Sequence, residues 1–295
     1  MSTVIVHVVT IGEILLWAKE KLDQSRIAGG RRDARLLLAN ALDVGPEYIV
    51  AHPEASVTRE QADLFIRYVE RRCRHEPVSR ILGRREFWSL PFRISPATLD
   101  PRPDSEALIE SVLKDYPDRG ASLTILDLGT GSGCLLLTLL KEYPCAFGVG
   151  VDISFEALST ARENASDLQV TDRAFFTQGC WGEGFKGSFD LVISNPPYIP
   201  DAGIGALDPE VRLYDPLRAL KGGEEGVECY RILASQFRAF IHDHARIYLE
   251  IGQGQEKTVE KIMHNAGYLC VAWHRDLAGI KRCGVFTTHQ FLDGS

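Results

Sequence analysis

Ser194-Asn195-Pro196-Pro197-Tyr198-Ile199 is the stretch whose residue types and order point most directly to chemistry. It follows Phe189-Asp190-Leu191-Val192-Ile193, an apolar run that reads as a buried strand. Asn195 therefore falls where a strand ends, and the carboxyl ends of strands are where open α/β sheets bind ligands. Each proline holds the residue before it extended, and neither can donate a backbone hydrogen bond. The carbonyls of Asn195 and Pro196 are thus predicted to lie outside any sheet ladder. With the Asn195 side-chain oxygen they make a small, fixed set of acceptors, and Tyr198 adds a flat wall. A planar NH2 group matches such a set, since it brings two donors and a π face. Its nitrogen is a poor nucleophile because the lone pair is delocalised. Acceptors that grip both hydrogens favour a pyramidal nitrogen and leave density for attack, through positioning and preorganised electrostatics rather than a strong base. The competing reading is a proline-rich turn capped by asparagine.

A second constellation lies upstream. Leu126-Asp127-Leu128-Gly129-Thr130-Gly131-Ser132-Gly133-Cys134 stands between an apolar run and a helix-like stretch. Its alternating glycines permit positive φ and close approach of backbone to a ligand, and the helix start behind them offers unpaired N–H groups. Asp152 ends the next strand, about 20 positions after the turn, where an acid grips ribose hydroxyls. Trp181, at the end of the third strand, could cover an adenine ring, or it could be an ordinary core or surface tryptophan. The spacing is not that of a dinucleotide fingerprint, and a nicotinamide cofactor has no use for Asn-Pro-Pro-Tyr. S-adenosylmethionine (SAM) does fit: the turn takes its methionine end, Asp152 its ribose, and the sulfonium methyl points toward Asn195.

The elements that must position these residues follow from periodicity. Strands are predicted at 123–127, 147–151, 174–178, 189–194, 247–251, 269–273 and 285–289. Helices are predicted at 134–141, 155–164, 229–243 and 256–266. This alternation predicts a mostly parallel, seven-stranded sheet covered on both faces. The glycine turn, Asp152, Trp181 and Asn195 then converge at the carboxyl ends of consecutive strands. Before residue 85 the pattern is a small helical bundle: Thr10–Ser25 with Thr10 and Glu13 as a capping box, then 33–42, 47–51 and 58–74. Glu86–Ile94 reads as a hairpin bridging the domains, and Pro96–Glu106 as a proline-rich loop, either a rigid linker or a pocket wall carrying Arg102, Asp104 and Glu106. The expected division is 1–85, 86–110 and 111–295.

The bulk properties exclude several classes. The chain has 295 residues, of which 45% are hydrophobic and 25% charged, an ordinary globular composition. Its formal charge of −7 argues against broad affinity for nucleic acid. Seven scattered cysteines without metal-ligand spacing suit reduced thiols and a cytoplasmic protein, and no metal site is expected. Met1–Thr10 lacks the features of a signal peptide, and no run is long enough to span a membrane. Arg67, Arg71, Arg72, Arg74, Arg80, Arg84 and Arg85 crowd the end of the bundle, as a solvated helix face or as a docking surface for a macromolecule.

Several segments together carry a family resemblance: DARLLLANAL, RRCRHEPVSRILGRREFW, LDPRPDSEALI, ILDLGTGSG, VDIS, ISNPPYIP, DPLRALKGGEEGVECYRIL, LEIGQGQ and DLAGIKR. Over nearly all its length after the first ten residues the chain resembles the release-factor glutamine methyltransferases. The resemblance implies a class I SAM-dependent methyltransferase domain, Rossmann-like, behind an N-terminal helical domain that helps dock the substrate. It implies methylation of the amide nitrogen of the Gly-Gly-Gln glutamine in class 1 peptide-chain release factors, by a monomer that contacts neither membrane nor nucleic acid directly. Gly129, Thr130, Gly131, Ser132, Gly133, Asp152, Trp181 and Asn195 match the family's cofactor-contact positions. Asn195, Pro196, Pro197 and Tyr198 match its glutamine-binding motif, with Asn195, Pro196 and Tyr198 as the catalytic set. Two positions depart from the family's pattern: Asp100 replaces an apolar residue before the PRP segment, and Cys180 stands where an Asp commonly precedes the Trp. The rival readings are a glutamine methyltransferase acting on a ribosomal protein, a DNA or RNA adenine N6-methyltransferase, and a non-catalytic SAM-binding module.

Overall fold

The computed structural model describes residues 9–288, which form two compact units. The first contains the described residues through Gly83 together with Pro209–Tyr214, and the second contains Arg84–Asp208 and the chain from Asp215 onward. Arg84 and Arg85 fall in the second unit because they begin a hairpin strand, opposite Arg93 and Phe92. The chain therefore leaves the second unit after Asp208, gives one short helix to the first, and returns at Asp215.

The first unit is a bundle of Ile11–Gln24, Gly30–Leu42, Pro46–Ala51, Arg59–Cys73 and Val78–Leu82, the last not foreseen. Thr10 and Thr58 each close a capping box, with Glu13 and Gln61 respectively. Ile11, Ile14, Ala18 and Leu22 on one helix meet Leu37, Leu38, Phe65 and Val69 on others in a single buried cluster. In the same unit the Arg72 guanidinium is nearly inaccessible. It donates to Asp33 Oδ2 at 2.8 Å and to Glu210 Oε1 at 2.5 Å, the latter on the late-returning helix. Arg71 is held by Glu76, and the Tyr214 hydroxyl donates to the Arg74 carbonyl at 2.8 Å. Of the crowded arginines, Arg67, Arg74 and Arg84 are exposed.

The second unit is built on a seven-stranded sheet ordered Tyr268–Arg275, Lys281–Thr288, Ile241–Glu250, Phe189–Ser194, Thr124–Leu128, Phe147–Asp152 and Ala174–Gln178. The last five strands of that order are mutually parallel, and the first two pair antiparallel at one edge. Chain order reverses between Thr124–Leu128 and Phe189–Ser194, so a crevice opens at their carboxyl ends. Helices Cys134–Glu142 and Phe155–Asp167 follow the expected pattern. The helix expected through residue 243 ends instead at Gln236. Phe237 and Phe240 turn inward and pack edge-on, and Phe237 meets Tyr268 in the same way, so the chain breaks into a short 3-10 turn. The strand that follows starts at Ile241, earlier than expected, because a polar His-Asp-His opening concealed it. His289, placed at the end of the last predicted strand, lies outside the described residues, as does most of Met1–Thr10.

The hairpin Arg84–Phe87/Leu90–Arg93 turns through Trp88 and Ser89, both at positive φ, 52° and 58°. That conformation suits a two-residue turn but is unfavourable for these residue types. Hydrogen bonds from the Trp88 backbone N–H to Glu106 and from its indole to Glu142, at 3.0 and 2.7 Å, hold it. No described helix is long and apolar enough to cross a membrane.

Removing a guanidinium that is enclosed by two carboxylates leaves buried charge uncompensated. Arg72→Ala is expected to destabilise the helical unit by about 3 kcal/mol and to speed amide exchange in Pro209–Tyr214. Denaturant melts with segment-resolved hydrogen exchange check both.

Candidate functional site

The crevice holds a cavity of about 300 Å³ lined by residues from the ends of four parallel strands. The glycine turn forms its floor. Gly129, Gly131 and Gly133 all have positive φ, 78°, 56° and 79°. The Gly129 and Thr130 N–H groups reach back to the Val151 carbonyl, which ties the turn to the neighbouring strand. Gly129 is also needed for space, since a Cβ there would stand 3.3 Å from the Trp181 ring. Below the turn Asp127 is fully enclosed and accepts from the Thr130 hydroxyl at 2.6 Å. Burial pushes its carboxyl up to about 7, against the effect of that hydrogen bond.

Asp152 lines the cavity. Its Oδ2 accepts the Gly131 N–H at 2.9 Å and its Oδ1 the Ser154 N–H at 2.8 Å. Each carboxylate oxygen keeps acceptor capacity for a hydroxyl. The following helix is capped separately by Ser154, whose hydroxyl accepts from the Ala157 N–H, so Asp152 is not consumed as a cap. Trp181 and the exposed Cys180 line the same space. Gly133 does not line it; it packs toward Leu137 and Ala161.

Asn195 and Pro197 complete the wall. Ser194, the last residue of its strand, donates its hydroxyl to the Leu128 carbonyl at 2.6 Å and so fixes the loop beside the glycine turn. The Asn195 Nδ2 donates to Ser105 Oγ at 3.3 Å, which leaves Oδ1 as the free end of the amide. Among the described residues nothing donates to the carbonyls of Asn195 or Pro196. Pro196 is buried beside the cavity rather than on its wall. Tyr198, expected as a flat wall, does not line the cavity. Its ring packs near Gly252, and its hydroxyl donates to Glu250 Oε1 at 3.4 Å, so burial and the adjacent carboxylate hold the phenol far above its ordinary pKa.

Sequence reasoning missed the residues that hold this loop from behind. Gln255 Nε2 donates to the Tyr198 and Gly226 carbonyls, each at 3.0 Å, while its Oε1 accepts the Gly252 N–H. Gly222 lets the chain pass so closely that a Cβ there would stand 2.8 Å from the Pro197 carbonyl oxygen. The signal was present as Gln255 in LEIGQGQ and as the paired glycines of LKGGEEG, but neither announces its partner. In the PRP loop, Arg102 lines the cavity and is paired with Asp215, Asp104 pairs with Arg282 at 2.7 Å, and Glu106 serves the hairpin. Asp100 is buried, with Arg85 3.8 Å from its carboxylate and its own N–H donated to Asp215. That charge partner and the Asp215 bridge are what a polar residue requires there. Among the described residues no group of His, Cys, Asp and Glu could hold a metal ion.

Known proteins resemble this chain. Residues 13–83 match the PrmC N-terminal domain model and residues 86–205 the methyltransferase small domain model. The release factor glutamine methyltransferase of Rhodospirillum rubrum is 42% identical over 273 residues, covering 92% of this chain and 83% of that protein. That of Bradyrhizobium diazoefficiens is 42% identical over 265 residues, 89% of each chain. The chain belongs to the release factor glutamine methyltransferase family. A crystal structure of a methyltransferase from Pyrococcus furiosus aligns with a TM-score of 0.50 at 17% identity, over 68% of this chain and 90% of that one, which shows the fold alone. Membership in this methyltransferase family implies SAM as methyl donor. The cavity fits it, with a floor of positive-φ glycines, an acid with spare acceptor capacity and an aromatic ring at the wall.

Gln255→Ala would leave the carbonyls of Tyr198 and Gly226 without their donor and create a void. This release factor glutamine methyltransferase family member should lose about 1–3 kcal/mol of stability, measured by urea denaturation at neutral pH.

Proposed function

We propose that this chain methylates the side-chain amide nitrogen (N5) of the glutamine in the Gly-Gly-Gln motif of class 1 peptide-chain release factors. The observation that carries the reading is the direction of the Asn195 amide. Its NH2 end is engaged by Ser105, so its oxygen is the end available to a ligand. That oxygen, together with a Pro196 carbonyl to which no described group donates, suits a donor group with two hydrogens, which is what a primary amide presents. The relatives named release factor glutamine methyltransferases support the choice of substrate.

The bound cofactor supplies an electrophilic methyl on a sulfonium sulfur. The chain's residues bind, orient and dry the site. Gly129, Thr130, Gly131 and Ser132 shape the floor, Gly133 turns the chain into the helix behind it, Asp152 accepts from ribose hydroxyls, and Trp181 covers the adenine. Asn195 Oδ1 and the Pro196 carbonyl accept the two N–H bonds of the substrate amide and hold its nitrogen for in-line attack. Pro197 closes the wall, and Tyr198 braces the loop from behind. The proton leaves to water after methyl transfer, so no strong base is needed. The helical unit docks the release factor. The protein acts without a metal, as a cytoplasmic monomer.

With radiolabelled SAM, label should enter a class 1 release factor and not its Gln→Ala variant; label in a ribosomal protein or in DNA instead would contradict the assignment. Asn195→Ala should slow single-turnover methylation by roughly 10²–10³, and a wild-type rate would remove Asn195 from the mechanism.

A further inference from the structure

Trp181 stands in the left-handed region, at φ 55°. A bulky residue avoids that region unless its surroundings impose it, and such a residue at a ligand cavity points to a use for the strain. The conformation lays the ring against the glycine turn, where a Cβ on Gly129 would stand 3.3 Å from it. Trp181 and Gly129 both line the cavity. Most hydrogen bonds around Trp181 are local: the Glu183 N–H donates to the Cys180 carbonyl and the Phe185 N–H to the Gly182 carbonyl. The Gly182 N–H is different. Gly182 is buried, and its N–H donates at 2.9 Å to the side-chain oxygen Oε1 of Gln236. Gln236 is the last residue of the helix Glu228–Gln236 and does not line the cavity.

A second contact from the same stretch falls on the same glycine. A Cβ on Gly182 would stand 2.2 Å from the Phe240 ring. Phe240 reaches it because the helix stops at Gln236 and the short 3-10 turn that follows folds Phe237 and Phe240 inward. The early end of the helix thus sets a hydrogen-bond acceptor and an aromatic ring on Gly182, directly after the strained tryptophan.

We propose that Gln236 is a positioning residue for the cofactor: through the Gly182 N–H it locks Trp181 in the conformation that holds the indole over the adenine. Trp181 also packs beside the buried cluster of Tyr230, Leu233 and Phe237, but apolar contact is non-directional. The hydrogen bond is what fixes the peptide between Trp181 and Gly182. A buried backbone N–H requires an acceptor, and among the described residues Gln236 supplies it. Without that acceptor Gly182 moves toward water, residue 181 relaxes to negative φ, and the indole swings off the glycine turn. The effect is on cofactor binding before and during transfer alike, so the loss falls in KM for SAM rather than in kcat.

The inference rests on the reading of Trp181 as the adenine cover, and the test separates the two. SAM affinity is measured by calorimetry on the full chain for wild type, Gln236→Leu, Gln236→Glu, Gly182→Ala, Trp181→Ala and Gln236→Leu combined with Trp181→Ala. Gln236→Leu is expected to weaken SAM binding about tenfold, the effect of one orphaned buried donor. Its KM for SAM should rise in step while kcat for release-factor methylation changes less than about twofold. Gln236→Glu keeps the acceptor and should bind SAM within about twofold of wild type. Gly182→Ala, which drives the loop off Phe240, should weaken SAM binding with Gln236 still in place. In the Trp181→Ala background Gln236→Leu should cost less than about twofold. Equal weakening by Gln236→Glu and Gln236→Leu, full cost of Gln236→Leu without Trp181, or wild-type affinity in Gly182→Ala would overturn the proposal. Wild-type affinity in Gln236→Leu beside a weakened Trp181→Ala would overturn the proposal alone; wild-type affinity in Trp181→Ala would overturn the reading of Trp181. A second readout needs no cofactor: the Trp181 indole N–H resonance, assigned by its loss in Trp181→Ala, should move in Gln236→Leu and hold its place in Gln236→Glu. A resonance unmoved in both would show that Gln236 has no grip on the ring.

Discussion

A carboxamide is nearly symmetrical in shape and opposite in chemistry at its two ends. Packing alone cannot tell the oxygen of Asn195 from its nitrogen, so only hydrogen-bond polarity can. The site depends on that discrimination. On the proposed reading, the glycine floor, Asp152 and the Trp181 ring would serve many methyl acceptors. On that reading, the direction of one side chain, with Nδ2 on Ser105 and Oδ1 free, selects an acceptor group that brings hydrogens.

The second constraint is mechanical. A loop with two prolines has no ladder to hold it, yet its carbonyls have to remain both free and fixed. The fold meets both needs by fastening the loop at points other than Asn195 and Pro196. Ser194 is tied to Leu128, Tyr198 is tied through its carbonyl to Gln255, and Pro197 lies against Gly222 without room for a side chain. The two residues in between keep their acceptors. The same division of labour appears at Asp152, which braces the glycine turn and the start of the next helix with one hydrogen bond per oxygen and retains lone pairs for a ligand.

Much of this was legible in the sequence because it was local. Apolar runs ending in Gly129, Asp152, Trp181 and Asn195 placed four strand tips together, and capping chemistry at Thr10 and Thr58 marked where helices begin. The misreadings occurred where tertiary packing decides. Phe237 and Phe240 fit a helical period, but their burial against Tyr268 ends the helix. An aromatic beside a polar motif suggests a wall and places Tyr198 at the front of the site; its hydroxyl instead seeks a carboxylate in the core. Glu250 reads as an acid at a strand end, and nothing local shows that it accepts the hydroxyl of Tyr198, far back along the chain. Arg72 likewise reads as one arginine in a crowd until the helix Pro209–Tyr214 returns to it.

The most direct measurement is a crystal structure at neutral pH with S-adenosylhomocysteine and the glutamine-bearing domain of a release factor. The account predicts the glutamine amide nitrogen within about 3 Å of both Asn195 Oδ1 and the Pro196 carbonyl oxygen, with Asn195 Nδ2 still on Ser105. A glutamine oxygen in that position, or an Asn195 amide reversed toward it, would contradict the account at its centre.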